Sequence, residues 1–305
     1  MSFHVSTAFV LGAGLGTRLR PLTEALPKPL IPVWGEPLIG HAFRHLTSAG
    51  VERFMVNTHW FPEAYVTAFP DRMWDGRPLS FRHEPILLET AGGIANVADW
   101  LGRDGSFWVY NGDILSTVPL QPALEAHAAS KNIATLILRS SGAEKVVAFD
   151  QITGRVRDIR NLLGTGLAPT HQFTGLYICR PEFLDWLTPG KIESSRTIFL
   201  EIVRRADGLG GVAIDDGLWM DLGDRASYLA AHRALPAPVG WRVERPGVTQ
   251  RGVCAVAPDA VIEPGAVLED CVVWSGGRVS ANARLTRSVV RGGSVAGGTA
   301  VDRDF

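Results

Sequence analysis

Near the end of this chain an apolar residue recurs at every sixth position: Val261, Val267, Val273, Val279 and Leu285. Pro, Gly, Asp and Asn fill the gaps, as in Pro258-Asp259, Pro264-Gly265 and Gly276-Gly277. A helix repeats at about 3.6 residues and a strand at about 2, so neither produces a period of six. Such hexads predict a parallel β-helix, each hexad forming one side of a coil. Residues 256–301 hold roughly seven to eight hexads, or about two and a half coils at three sides per coil. A stack that short exposes coil ends that something must cover, which points to self-association.

The residues before this repeat follow a different pattern. Thr7–Leu11 reads as a short buried strand running into glycines. Leu38–Ala49 has helical spacing and ends at Gly50. Val51–Asn57 and Phe107–Tyr110 read as strands, Leu120–Ser130 as a helix and Ile133–Arg139 as a strand. Strands separated by helices predict a Rossmann-like α/β domain with a mostly parallel sheet covered on both faces. Ligands of such sheets sit beyond the carboxyl ends of the strands. The Pro-rich stretch Leu235–Gly240 ends the helical patterning. The expected layout is therefore an α/β domain at 1–235, a linker at 236–245 and a β-helix at 246–305.

Composition removes several function classes. Lys+Arg 30 against Asp+Glu 31 leaves a net charge of −1, which argues against nucleic acid as a partner. The three cysteines (Cys179, Cys254 and Cys271) include no Cys-x-x-Cys pair, so neither a zinc ribbon nor a disulfide scaffold is expected. A reducing cytoplasm fits that usage. No apolar run approaches the ~20 residues of a membrane helix, so no membrane association is expected. Residues 1–16 lack the basic start of a secretory signal.

The densest chemical signal lies between residues 11 and 33. Leu11-Gly-Ala-Gly-Leu-Gly-Thr-Arg18-Leu-Arg-Pro-Leu-Thr23 is followed by Leu26-Pro-Lys28-Pro-Leu-Ile-Pro-Val33. A buried strand runs into a loop holding Gly12, Gly14 and Gly16, which can turn backbone N–H groups toward an anion. Arg18 adds a fork-shaped positive charge and Lys28 a point charge, a combination suited to a triphosphate. The dinucleotide fingerprint is excluded because Thr17 stands where Gly or Ala is needed. Pro21, Pro27, Pro29 and Pro32 also break the helix it requires. A Walker loop is excluded because the only Gly-Lys pair, Gly190-Lys191, precedes Ile192.

These residues resemble the sugar-1-phosphate nucleotidylyltransferases, in particular the mannose-1-phosphate guanylyltransferases. The family signature Gly-x-Gly-Thr-Arg-Leu-x-Pro-Leu-Thr stands at Gly14–Thr23, and its Pro-Lys-Pro at Pro27–Pro29. Further resemblances follow in order along the chain. Glu89-Thr-Ala-Gly-Gly93 is similar to the base-contacting loop, and Asn111-Gly-Asp113 to the metal-binding Gly-Asp. Phe173-Thr-Gly175-Leu-Tyr177 is similar to the sugar-contacting strand, and Trp219-Met-Asp221-Leu-Gly223 to the second metal motif. The hexads resemble the short left-handed β-helix appended in some members.

The resemblance implies attack of a sugar-1-phosphate oxygen on the α-phosphorus of an NTP, with pyrophosphate leaving. The nucleophile is already an anion, so catalysis is mostly positioning and charge stabilisation. By carry-over, Arg18 holds the leaving pyrophosphate, Lys28 bridges the reacting phosphates, and Asp113 with Asp221 binds Mg²⁺. Leu11, Gly12, Ala13, Gly14, Gly16 and Thr17 belong to the nucleotide loop, with Glu84, Glu89 and Gly92 near the base. A carboxylate at Glu84 only accepts hydrogen bonds, and guanine offers two donors on one edge, which leans toward GTP.

Asn111 and Gly175 fall to the sugar. One departure stands out: no Glu-Lys-Pro follows Gly154-Arg-Val156, and Arg160 is the candidate to replace its lysine. Asn57-Thr-His59-Trp60 and Leu88–Ile94 look closer to N-acetylmuramate-1-phosphate uridylyltransferases, the alternative to GDP-mannose synthesis. A silent regulatory subunit is a further alternative. An acyltransferase is disfavoured because no histidine follows His232.

Overall fold

The computed structural model describes residues 3–142, 144–206, 208–241 and 245–305. Residues 242–244 of the expected linker lie outside the described residues. The chain divides into two compact units. One comprises Met1–Leu15 and Ile39–Trp219; the other comprises Gly16–Leu38 and Met220–Phe305. Segment 16–38 therefore groups with the C-terminal residues. Among the described residues no helix is long and apolar enough to cross a membrane.

The first unit is built on a ten-stranded sheet. Its strands are β1 (Thr7–Leu11), β2 (Arg53–Thr58), β3 (Met73–Trp74), β4 (Arg77–His83), β5 (Phe107–Asn111), β6 (Ala134–Arg139), β7 (Val147–Asp150), β8 (Arg155–Ile159), β9 (Gln172–Cys179) and β10 (Leu209–Ala213). They lie in the order β7-β8-β10-β6-β9-β5-β1-β2-β4-β3. The block β5-β1-β2-β4 is parallel throughout. β9 runs antiparallel between β5 and β6, so β6 and its parallel neighbour β10 point the same way as β1. β1 and β5 are nearly continuous apolar runs because both faces of the sheet's middle are covered.

The helices of this unit are α1 (Leu38–Ser48), α2 (Pro62–Ala68), α3 (Glu89–Asn96), α4 (Ala98–Leu101), α5 (Gln121–Ala129) and α6 (Ser195–Ala206). α1 buries Ile39, Ala42, Phe43 and Leu46, the three- and four-residue spacing of one helix face. It stops at Gly50, whose φ of +90° lets its N–H and that of Val51 close on Thr47 and Leu46 carbonyls.

In the second unit, α7 (Arg225–Ala234) precedes a left-handed β-helix of three parallel sheets. One joins β11 (Thr249–Arg251), β14 (Val267–Glu269), β17 (Arg284–Thr286) and β20 (Thr299–Val301). The second joins β12 (Ala255–Val256), β15 (Val272–Val273) and β18 (Val289–Val290). The third joins β13 (Val261–Ile262), β16 (Arg278–Val279) and β19 (Val295–Ala296).

The strict hexad is corrected here. The first coil keeps three sixes, Thr249 aligning with Val267, but further along Val272 aligns with Val289 and Val261 with Arg278, a repeat of 17 residues, and Arg284 aligns with Thr299, 15 residues on. The inward line is Val256, Ile262, Leu268, Val273, Val279, Leu285, Val290 and Ala296, with five-residue steps from Leu268 to Val273 and from Leu285 to Val290. Val261 is consequently 42% exposed while Ile262 faces the core. The short side turns at Asp270 and Arg287, with φ of +52° and +45°. The chain's last residues cover one end: Asp304 bridges to Val289, and Arg225 Nε donates to Asp304 Oδ1 at 2.7 Å.

Candidate active site

In the first unit, sequence-distant polar residues meet at the carboxyl ends of the parallel strands. Gly12 follows β1, Asn57 lies near the end of β2, Glu84 follows β4, and Asn111–Asp113 ends β5. The Gly12 N–H donates to Asn57 Oδ1 at 2.8 Å, and Asn57 Nδ2 donates to Glu84 Oε1 at 2.8 Å. The Leu88 N–H donates to Glu84 Oε2 at 3.2 Å. Tyr65 Oη donates to the Gly12 carbonyl at 2.8 Å, so side chains hold both backbone groups of Gly12. A Cβ at Gly12 would fall 2.7 Å from Asn57 O and 2.9 Å from Tyr65 Oη, which explains the glycine by close approach.

The charge of Asp113 reaches this cluster. Burial, and then the nearby Asp113 carboxylate, push the Tyr65 phenol well above its ordinary value, so it stays a donor to Gly12. Burial raises the pKa of the Glu84 carboxyl, while bonds from Asn57 and Leu88 pull the other way. Glu84 is fully buried and both its oxygens are engaged by the protein. The base-edge role expected of it would need that carboxylate turned outward, and here it faces in. Glu89 is the exposed carboxylate of this stretch, in a left-handed conformation (φ +61°) at the first residue of α3.

α3 is held from outside. The Glu193 carbonyl accepts the N–H groups of Ala91 and Gly92 at 2.8 and 3.0 Å. Ser195 N–H donates to Thr90 Oγ1 at 2.6 Å, and Ser195 Oγ lies 2.9 Å from Tyr177 Oη. α3 is thereby tied to the strand that carries Gly175. Gly175 packs on Asn111: its φ is +80°, and a Cβ there would fall 2.7 Å from Asn111 Nδ2. The two residues given to the sugar thus meet on neighbouring strands β5 and β9. Arg160 stands in a left-handed turn after β8, with its guanidinium 3.8 Å from Glu144.

The second unit brings together two motifs about 200 residues apart in sequence. Lys28, only 6% exposed, places Nζ 3.3 Å from Asp221 Oδ1. A Cβ on Gly223 would lie 2.9 Å from Arg18 Nη2, so the guanidinium packs on that glycine. Gly16, at φ +61°, starts the single turn Thr17–Leu19 that presents Thr17 and Arg18 to solvent. Thr23 Oγ1 donates to the Gly16 carbonyl at 2.7 Å and fixes that turn.

Sequence reading did not name Tyr65 or Ser195 as parts of the site, and gave Asn57, Thr90 and Tyr177 no role beyond the longer motifs they stand in. Asn57 carried a signal: it is a polar residue closing the buried strand run Phe54-Met-Val. The others look like ordinary core or helix residues.

A nucleotidyl transferase family profile matches residues 7–237. The chain belongs to that family. It is a sugar-1-phosphate nucleotidyltransferase. It is 30% identical to a mannose-1-phosphate guanylyltransferase of Mycobacterium tuberculosis, over 94% of this chain and 85% of that one. It is 31% identical to an N-acetylmuramate alpha-1-phosphate uridylyltransferase of Neisseria meningitidis, over 71% of this chain and 92% of that one. The fold is shared with a solved inositol-1-phosphate CTP transferase from T. maritima at TM-score 0.62 and 17% identity, covering 74% of this chain and 93% of that one. This nucleotidyltransferase carries a β-helix after the stretch that the family profile matches.

Proposed function

We propose that this enzyme makes GDP-mannose and pyrophosphate from GTP and mannose-1-phosphate. The observation that carries the transfer chemistry is the convergence of Arg18 and Lys28 with Asp221 and Gly223, far apart in sequence. A buried lysine beside a carboxylate, next to an exposed arginine, suits a polyphosphate that must be gripped while its charge shifts. Arg18 holds the departing pyrophosphate and Lys28 the phosphates between which the bond changes. No side chain needs to remove a proton, because the attacking sugar phosphate is already ionised.

Asp113 and Asp221 are the residues that would hold Mg²⁺. Their hard oxygens fit, since Mg²⁺ commonly takes one or two carboxylates plus water and substrate phosphates. Among the described residues no three or more His, Cys, Asp or Glu cluster into a cage. When bound, Mg²⁺ supplies neutralisation of the phosphate oxygens. Asn111, Gly175 and Arg160 are assigned to the sugar phosphate, and Glu89 and Gly92 to the base side.

The choice of GTP and mannose draws nothing from the buried Glu84. It is supported by the guanylyltransferase relative, which matches 94% of this chain. A second reading, uridylyl transfer to an N-acetylated sugar phosphate, is favoured by the relative that is 31% identical over 225 residues. The β-helix is proposed to join copies of the chain; a light-scattering mass above one chain supports this and a monomer mass overturns it. The three free, buried cysteines fit a reducing cytoplasm.

The deciding experiment is pyrophosphate release with Mg²⁺, crossing the five common NTPs with a panel of sugar-1-phosphates. The strongest release is expected with GTP and mannose-1-phosphate. UTP with an N-acetylated sugar would establish the second reading. Silence across the panel from cooperatively melting protein would refute both.

A further inference from the structure

The bonds around Glu84 have a fixed direction. Main-chain N–H groups only donate, so Gly12 and Leu88 put donors at both ends of the chain Gly12–Asn57–Glu84–Leu88. Asn57 spends its carbonyl oxygen on Gly12 and must present its amide N–H to residue 84. Residue 84 then has to accept on both of its terminal atoms. An ionised carboxylate does this, and glutamine does not, because its amide nitrogen would face either Asn57 Nδ2 or the Leu88 N–H. The site is closed: Glu84 is fully buried and Asn57 is 2% exposed. A Cβ on Gly93 would fall 2.9 Å from Asn57 Nδ2 and 3.0 Å from Glu84 Oε1, so the helix α3 packs directly on this pair.

We propose that Glu84 is a positioning residue for the nucleotide, locking the phosphate-side loop at Gly12 and the entry of α3 at Leu88 into one register. It reads no base edge; it sets the spacing between two segments that touch the nucleotide. Exposed Glu89 and buried Gly92 follow Leu88 directly, and Gly14, Gly16 and Thr17 follow Gly12. This role rests on the nucleotidyl transfer described above, and predicts an effect on NTP without one on the sugar phosphate.

The relay can be reversed without changing its charge. When Glu84→Gln is combined with Asn57→Asp, the carboxylate introduced at position 57 accepts from the Gly12 N–H and from the side-chain amide introduced at position 84. The carbonyl of that amide accepts from Leu88. Every donor again meets an acceptor. The singles fail for opposite reasons: Glu84→Gln sets donor against donor, and Asn57→Asp sets two buried carboxylates together.

Steady-state kinetics of the wild type, both singles and the double, below every variant's melt, test this. Each single should raise the KM for NTP about tenfold, the scale of one lost charge-assisted hydrogen bond, and leave the KM for sugar-1-phosphate unchanged. The double should recover most of that loss. Additive losses in the double, or singles matching wild type, would overturn the relay. A Glu84→Gln enzyme that changes its ranking of NTPs would also overturn it, since Glu84 would then read the base. A wild type silent with every substrate pair refutes the transfer reading instead. The relay is then decided by melting temperatures: rescue in the double upholds the bonding, and additive losses refute it.

Discussion

Asp113 offers the sharpest test at the scale of one side chain. It is partly exposed in the turn after β5, so Asp113→Asn should leave the melt within about 0.5 kcal/mol of wild type. Turnover should fall by about a hundredfold or more, the scale of losing one preorganised charge contact at the reacting centre. Normal turnover would remove Asp113 from the metal assignment. His127 makes a separate claim about pH. Burial, and then the charge of Arg180, hold its imidazole down to about 3 from the ordinary 6.5. The unfolded chain binds the proton near 6.5 and the folded protein does not, so stability is fully present above 6.5. It is lost as pH falls toward 3, by on the order of 5 kcal/mol in all. In His127→Gln the melting temperature should fall less steeply with pH below 6.5; equal slopes in both proteins would refute the claim. Residue identities at the glycine loop, Lys28 and Asp221 were legible from the sequence because each sits in a dense motif. The inward turn of Glu84 was not, because a glutamate reads the same whether it meets solvent or a buried Asn57.

Elements were more legible than contacts. The strands Thr7–Leu11 and Ala134–Arg139 and the helix Leu38–Ser48 stand within a residue or so of their expected ends, because apolar periodicity and a capping glycine mark them. The β-helix was legible as an architecture but not in register. Its short side turns on Asp270 and Arg287, which carry no glycine to signal a left-handed corner. Asp270 compensates with bonds: Oδ1 accepts the Val253 N–H at 3.0 Å, and Oδ2 lies 3.1 Å from Arg233 Nη2. Asp270→Ala should lose these bonds and bear the left-handed backbone, costing about 1–3 kcal/mol. Asp270→Asn should cost less, since asparagine tolerates that conformation. Denaturant midpoints measure the order wild type, Asn, Ala. An alanine variant as stable as wild type would show that the corner does not depend on this residue.

Chain order alone would assign residues 16–38 to the sheet that begins at Thr7, yet their contacts lie with the C-terminal unit. The bonds that do this are specific. Tyr228 Oη donates to the Pro32 carbonyl at 2.7 Å and accepts from Trp274 Nε1 at 2.8 Å, joining the signature segment, α7 and the β-helix. Arg291 Nη1 donates to the Pro21 carbonyl at 3.0 Å. Trp241 packs edge-on to Trp34 at 5.8 Å. The repeat is thus a wall behind the segment that carries Arg18 and Lys28. Nothing in the hexads signals this, because the contacts use single aromatic and arginine side chains outside the repeat pattern. Tyr228→Phe should leave the Trp274 N–H and the Pro32 carbonyl without their partner, costing about 1–3 kcal/mol. It should also lower turnover several-fold at temperatures where the protein stays folded, because Lys28 and its Asp221 contact lie in the same unit. A chain ending at Leu235 should lose turnover altogether, whatever its effect on assembly. Should that shortened chain fold and turn over at the full-length rate, with Tyr228→Phe equally unaffected, the β-helix would have no part in holding the signature segment.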